Sequence, residues 1–208
     1  EDGDALTWVR LSKEGDSVLI GSRTGMAIHF RLDINELRPL GRTARGVKSM
    51  NLREGDNLVS MDVLTSDLVD KLTKIEDLNQ EIDESIEVNS SNGPWVLIAS
   101  AFGLGKRVPV TQFRLQKRAG MGLRAIKFRI QDDVLVCLKV LGEGEELLFV
   151  TEKGVIVRTN ADKISQQSRA ATGVKLQRLD EGDHLSEVVL VPHAQTEESD
   201  QLNAGTEN

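Results

Sequence analysis

The chain has 208 residues, enough for one or two domains with a sizeable core. Its one cysteine, Cys137, excludes a disulfide framework or a cysteine zinc site and points to a reducing compartment. The formal net charge of −7 argues against nucleic acid until it is divided by segment. No apolar run approaches the ~20 residues of a membrane span, so no membrane partner is expected. The acidic N-terminus lacks an apolar targeting segment, and a first residue of Glu1 reads as a piece of a longer polypeptide.

In chain order, residues 1–12 read as the end of a preceding unit. Gly3-Asp4-Ala5-Leu6 matches Gly55-Asp56-Asn57-Leu58 and Gly182-Asp183-His184-Leu185. Each is a Gly-Asp turn that should lead into an alternating strand. The unit 13–64 opens with the apolar run Ser17–Gly21, turns at Arg23-Thr24-Gly25, and returns through Met26–Phe30. A short helical turn over 33–37 precedes Pro39. Strands are expected over Val47–Leu52 and, after the turn at 54–56, over Leu58–Leu64, giving four strands per unit.

Residues 65–93 break the pattern. Leu68, Leu72, Ile75, Leu78 and Ile82 follow a helical period, and Asn89–Pro94 reads as a loop. This is an acidic, partly helical insertion. The units 94–143 and 144–192 then restart at Trp95–Ala99 and Leu147–Val150. Residues 193–208 read as a disordered acidic tail.

The units repeat. Glycines Gly25, Gly103 and Gly154 are separated by 78 and 51 residues, and Gly46, Gly122 and Gly173 by 76 and 51. The period is therefore 51, lengthened once by the insertion. Such a period with four strands points to propeller-like blades. The expected fold is all-β: antiparallel four-stranded blades, about three full blades plus the end of a preceding one. Three blades cannot close a normal ring, so further blades are expected upstream or from other copies.

A second motif recurs in each unit: Leu40-Gly41-Arg42-Thr43-Ala44-Arg45-Gly46, Gln116-Lys117-Arg118-Ala119-Gly120-Met121-Gly122, and Gln167-Ser168-Arg169-Ala170-Ala171-Thr172-Gly173. Charge concentrates around the middle copy. Residues 94–140 hold nine Lys/Arg against two acids, whereas 65–93 hold eight acids against two lysines. Lys/Arg side chains release counterions from a phosphate backbone, and Gly beside Arg brings backbone N–H groups close to phosphate. Arg114, Lys117, Arg118, Arg124 and Lys127 therefore form a candidate backbone-reading patch, with Arg42, Arg45, Arg169 and Lys175 as weaker equivalents on neighbouring units. Lys106, Arg107, Gln116, Gly120 and Gly122 complete the candidate DNA-binding set. Phe102, Phe113 and Phe128 read as core residues, which favours duplex over single-stranded DNA. A competing reading is a propeller for protein–protein contact.

Together, Gly103–Val110, Phe113–Gly122 and Ala171–Leu179 resemble the C-terminal domain of DNA gyrase A, in wording most like the cyanobacterial and plant-organelle forms. The resemblance covers about residues 1–192, leaving out the insertion. It implies a β-pinwheel that wraps duplex DNA for a type II topoisomerase and supports ATP-dependent negative supercoiling. The family's box reads Gln-Arg-Arg-Gly-Gly-Lys-Gly. Gln116, Arg118, Gly120 and Gly122 match it, Lys117 keeps the charge, and Ala119 and Met121 depart from it. The implied partners are duplex DNA, the remainder of gyrase A, and gyrase B. The corresponding part of topoisomerase IV is the near variant. The implied location is a plastid or mitochondrion for a plant protein and the cytoplasm for a cyanobacterial one.

No catalysis is expected from the chain itself. It has no tyrosine to serve as the family's DNA-cutting nucleophile, and no phosphate-binding Gly-x-x-x-x-Gly-Lys-Ser/Thr loop. His29, His184 and His193 are scattered. Asp132-Asp133 and Glu145-Glu146 read as turn carboxylates. No cofactor or metal is expected here; ATP and Mg2+ would serve other parts of the holoenzyme.

Overall fold

The computed structural model of the chain describes residues 5–70 and 94–191. The expected tail over 193–208 and most of the insertion lie outside them; residues 66–70 are helical. Apart from two short 3-10 turns, Val110–Gln112 and Ala161–Lys163, the remaining regular structure is antiparallel sheet. Strands β1 (Ser17–Ser22), β2 (Met26–Arg31) and β3 (Leu58–Leu64) make the first sheet. The second contains β4 (Trp95–Ser100), β5 (Leu104–Pro109) and, after the two-residue β6 (Leu123–Arg124), β7 (Leu135–Leu141). The third contains β8 (Glu146–Thr151), β9 (Ile156–Asn160) and, after β10 (Val174–Lys175), β11 (Leu185–Val191).

Each hairpin forms where an apolar run meets a glycine at positive φ, Gly25 at 82° in the first case. An aspartate from the Gly-Asp turn then ties the hairpin down. Asp56 accepts from Thr24 N and Oγ1, Asp133 from Ser100 Oγ and Phe102 N, and Asp183 from Lys153 N. The helical turn over 33–37 is present, closed by Leu37 N donating to Asp33 O.

The sheets stack face to face, which explains why β4 is buried along its whole length. Val96 and Ile98 pack with Leu19, Leu64 and Leu135 toward the first sheet. Leu97 and Ala99 pack with Leu147, Phe149 and Leu185 toward the third. A strand covered on both faces must be apolar at both parities. On one side the sheets end in β3, β7 and β11. There Ser60 Oγ of β3 donates to Leu138 O of β7, and Asp62 accepts from Val140 N.

On the other side the structure corrects the expectation of four strands from each unit. The first sheet runs β3-β1-β2-β6 and the second β10-β5-β4-β7. Each therefore takes its fourth strand from the following unit, with Met26 facing Arg124 and Leu104 facing Lys175. The third sheet has three strands, β11-β8-β9, among the described residues. Residues 47–52, expected as a strand, are not one. Their equivalents are donated strands, and 47–48 have no acceptor edge among the described residues. Residues 5–12 are likewise not a strand, and Leu11 is 98% exposed; extended chain without a partner ladder leaves its polar groups unpaired.

Candidate nucleic-acid interface

The box loops sit where one unit passes its strand to the previous sheet. Gln116 N donates to His29 O, and one repeat later Gln167 N donates to Arg107 O. The loop then turns back through Gly122 or Gly173 onto the acceptor strand. A Cβ on Gly122 would lie 2.5 Å from Ala27 O, and one on Gly173 2.6 Å from Gly105 O. These glycines let two backbones meet, a role that precedes any approach of phosphate. Ala119 takes φ 62°, the position where the family box has glycine.

In the first two hairpins the residue fourth in the second strand latches the next unit. His29 Nδ1 lies 2.7 Å from Phe113 O, and its Nε2 lies 2.7 Å from Ser17 Oγ. One repeat on, Arg107 Nε donates to Ile164 O at 2.9 Å, Nη1 pairs with Asp162 at 2.8 Å, and the guanidinium lies 4.5 Å over the Trp95 ring. Burial lowers the His29 pKa, against the pull of its bond to the Phe113 carbonyl, so the ring stays neutral.

Two residues of the expected patch are therefore corrected. Arg107 is spent on this latch, with 9% of its surface exposed. Lys106 is fully buried, and its ammonium donates to Ser168 O, Arg169 O and Ala171 O at 2.8, 2.6 and 2.6 Å. Burial and the neighbouring Arg169 charge push its pKa down to about 8. Adjacent residues of a strand face opposite sides, and this sheet is covered on both, so neither cation stands free on the surface.

The box arginines of the second and third units, Arg118 and Arg169, are half-buried and also engaged. Arg118 donates from Nε to Glu36 O at 2.5 Å and from Nη1 to Lys48 O at 3.0 Å; its backbone N–H donates to the Glu36 carboxylate. Arg169 Nη1 donates to Arg124 O, and its backbone N–H to Gln112 Oε1. Gln116, Gly120 and Gly122 are partly covered.

The remaining candidates face solvent: Arg42, Arg45, Arg114, Lys117, Arg124, Lys127 and Lys175. Among the described residues, Arg114, Lys117, Arg124, Lys127 and Lys175 form no side-chain hydrogen bond or ion pair. Sequence reasoning missed Lys48. It lies two residues after Gly46, as Arg124 follows Gly122 and Lys175 follows Gly173, so the repeat count alone would have found it. It too is exposed. Met121, where the family box has lysine, points an apolar side chain outward, 49% exposed.

The model for the DNA gyrase C-terminal domain, described as a β-propeller, matches residues 16–65, 94–136 and 145–192. The chain belongs to that family. The DNA gyrase A protein of Synechocystis sp. is 49% identical over 213 aligned positions, covering 100% of this chain and 25% of the relative. The DNA gyrase A protein of Staphylococcus aureus strain MRSA252 is 36% identical over 199, covering 96% of this chain and 20% of that one. The chain thus spans about a quarter of the Synechocystis relative. A solved DNA gyrase A C-terminal domain superposes with a TM-score of 0.64 at 26% identity, over 84% of this chain and 50% of that one. The C-terminal domain of DNA topoisomerase IV gives 0.64 at 24% identity, over 85% and 46%, a likeness of fold alone. The all-β, propeller-like expectation thus agrees with the family's fold, with the strand exchange as its amendment.

Proposed function

We propose that the chain is a non-catalytic, duplex-DNA-binding and wrapping part of a gyrase A polypeptide. It would act with the rest of that polypeptide and with gyrase B, where ATP and Mg2+ are used. The observation that carries this reading is the placement of cations. Arg124 and Lys175 lie at the same register on the outermost strands of successive sheets, both exposed and unpaired. Arg114, Lys117 and Lys127 are further exposed cations of the unit that donates Arg124. Repeated unpaired cations at one register suit the repeating phosphates of a duplex, which are read by charge rather than by base edges. The aromatic side chains support duplex over single strands: Phe113 is buried, Phe102 stacks on His184, and Trp95 carries Arg107.

The test is duplex affinity across a salt series. Arg124→Glu with Lys127→Glu should weaken binding on every sequence and flatten the salt dependence, by ~0.9 in log–log slope for each lost phosphate contact. Unchanged affinity and slope would refute the reading.

A further inference from the structure

The box arginine and the exposed cation of the preceding unit are joined by one bond that recurs. Arg118 Nη1 donates to Lys48 O, and Arg169 Nη1 donates to Arg124 O. Arg118 and Arg169 are 51 residues apart, and Lys48 and Arg124 are 76 apart, which are the spacings of the repeat itself. In both cases the guanidinium ends on the main chain of an exposed cation whose own side chain forms no hydrogen bond or ion pair among the described residues. Arg118 also reaches Glu36 O through Nε, so it spans two separate segments of the unit before it. A planar fork does this with donors fixed on separate nitrogens; a partly exposed lysine at the same place has one terminal nitrogen on a flexible stem and does not reproduce that reach and direction.

We propose that Arg118 and Arg169 are positioning residues: they fix the turn from one sheet to the next, and hence the curvature of a bound duplex. Lys48, Arg124 and Lys175 take the phosphates. This deepens the duplex-binding reading and rests on it. A charge needed for phosphate would be left without a protein partner, as those three are among the described residues, whereas Arg118 gives two side-chain donors and Arg169 one to protein carbonyls. The bond acts on the carbonyl of the phosphate-facing residue itself, so moving the bracket moves the rung.

The experiment uses the whole chain and an end-labelled duplex of ~40 bp, well below the persistence length of ~150 bp. Energy transfer between the ends reports bending at saturation, and affinity across a salt series reports phosphate contacts. Arg118→Lys with Arg169→Lys keeps the charge and removes the fork. It should leave the salt slope at the wild-type value while end-to-end transfer falls toward that of free duplex. Lys48→Gln with Arg124→Gln and Lys175→Gln should flatten the slope by up to ~2.7 and keep wild-type transfer once saturated. Arg169→Lys alone, which breaks a single side-chain bond, serves if the double variant does not fold, and should show a partial loss of transfer. The proposal is overturned if the lysine variants retain wild-type transfer, if Arg118→Gln flattens the slope as a phosphate contact would, or if the wild-type complex binds with a steep slope but leaves the duplex straight. In that last case duplex binding still stands. A wild-type chain with no salt-dependent affinity removes the duplex reading first.

Discussion

Replacing Gly173 by alanine tests the strand exchange directly. Gly173 has φ 95°, and an added Cβ would lie 2.6 Å from the oxygen, 2.8 Å from the carbonyl carbon and 3.0 Å from the Cα of Gly105. All three are backbone atoms of the second residue of β5, so no side chain can swing aside. Left-handed backbone costs alanine about 1–2 kcal/mol, and forced displacement of a packed neighbour costs about 1–3 more. The lower entropy of the unfolded alanine chain returns about 0.4–1. The net loss is about 2–4 kcal/mol, which lowers Tm by roughly 5–15 °C for a chain of this size. Gly46 is the internal control. It occupies the same box position at φ 81°, but nothing lies within 4 Å of its added Cβ. Gly46→Ala should therefore cost only the conformational share, about 1 kcal/mol. Thermal melts of both variants and hydrogen exchange at Leu176, whose N–H donates to Gly103 O, provide the assay. Equal losses at the two sites, or unchanged exchange in Gly173→Ala, would show that the donated strand does not depend on this close approach.

Lys106→Met leaves three carbonyls without their donor and should cost about 1–3 kcal/mol near neutral pH. The folded Lys106 titrates at about 8 against an ordinary 10.5. The folded chain therefore binds fewer protons in that window, and wild-type stability should gain on the variant as pH rises through it; parallel denaturant melts at pH 7.5 and 10 measure this. His29 has its folded pKa lowered, so the neutral form supplies stability that is full above its ordinary 6.5 and lost as pH falls below it. His29→Gln should remove that loss in urea melts between pH 7.5 and 5.5. Gln177 is buried, and neither Nε2 nor Oε1 has a hydrogen-bond partner among the described residues. Met50 and Ile126 hold the equivalent places and are buried apolar residues, so Gln177→Met should stabilise the chain by about 1–3 kcal/mol in thermal melts.

The hairpins were legible because each one is local. Ser17–Ser22 and Met26–Arg31 are apolar runs joined at a glycine, and the same is true of Trp95–Ser100 with Leu104–Pro109. The exchange was not legible, because Leu123–Arg124 has the same local pattern whether it pairs with its own unit or with the previous one. Strand pairing between repeats is a long-range choice that periodicity cannot express. The misplaced cations failed for a different reason. Lys106 and Arg107 were assigned by charge, yet a pair of adjacent cations inside a strand must put one on each face. In a blade with neighbours on both sides, both are then covered. The burial of Lys106 in turn needs acceptors, and the box loop of the next unit supplies three carbonyls.

The equivalence of His29 and Arg107 bears on what the unit of stability is. The two side chains differ in size, charge and titration, yet each donates to the same carbonyl of the following unit, Phe113 O or Ile164 O. Geometry is preserved across the repeat while side-chain chemistry is not, so the contact between units is the feature being kept. The donated strands, the close-approach glycines and the arginine brackets all run in the same direction, from a later unit onto the earlier one. Ile126 and Phe128 add to this by covering Gly25, the hairpin turn of the unit before. In repeat arrays, stability is approximately a sum of intrinsic repeat terms and nearest-neighbour terms. Here a sheet without its neighbour lacks a strand, a latch and a turn cover together. The neighbour term therefore dominates, and the described sheets should lose structure in one transition rather than one blade at a time.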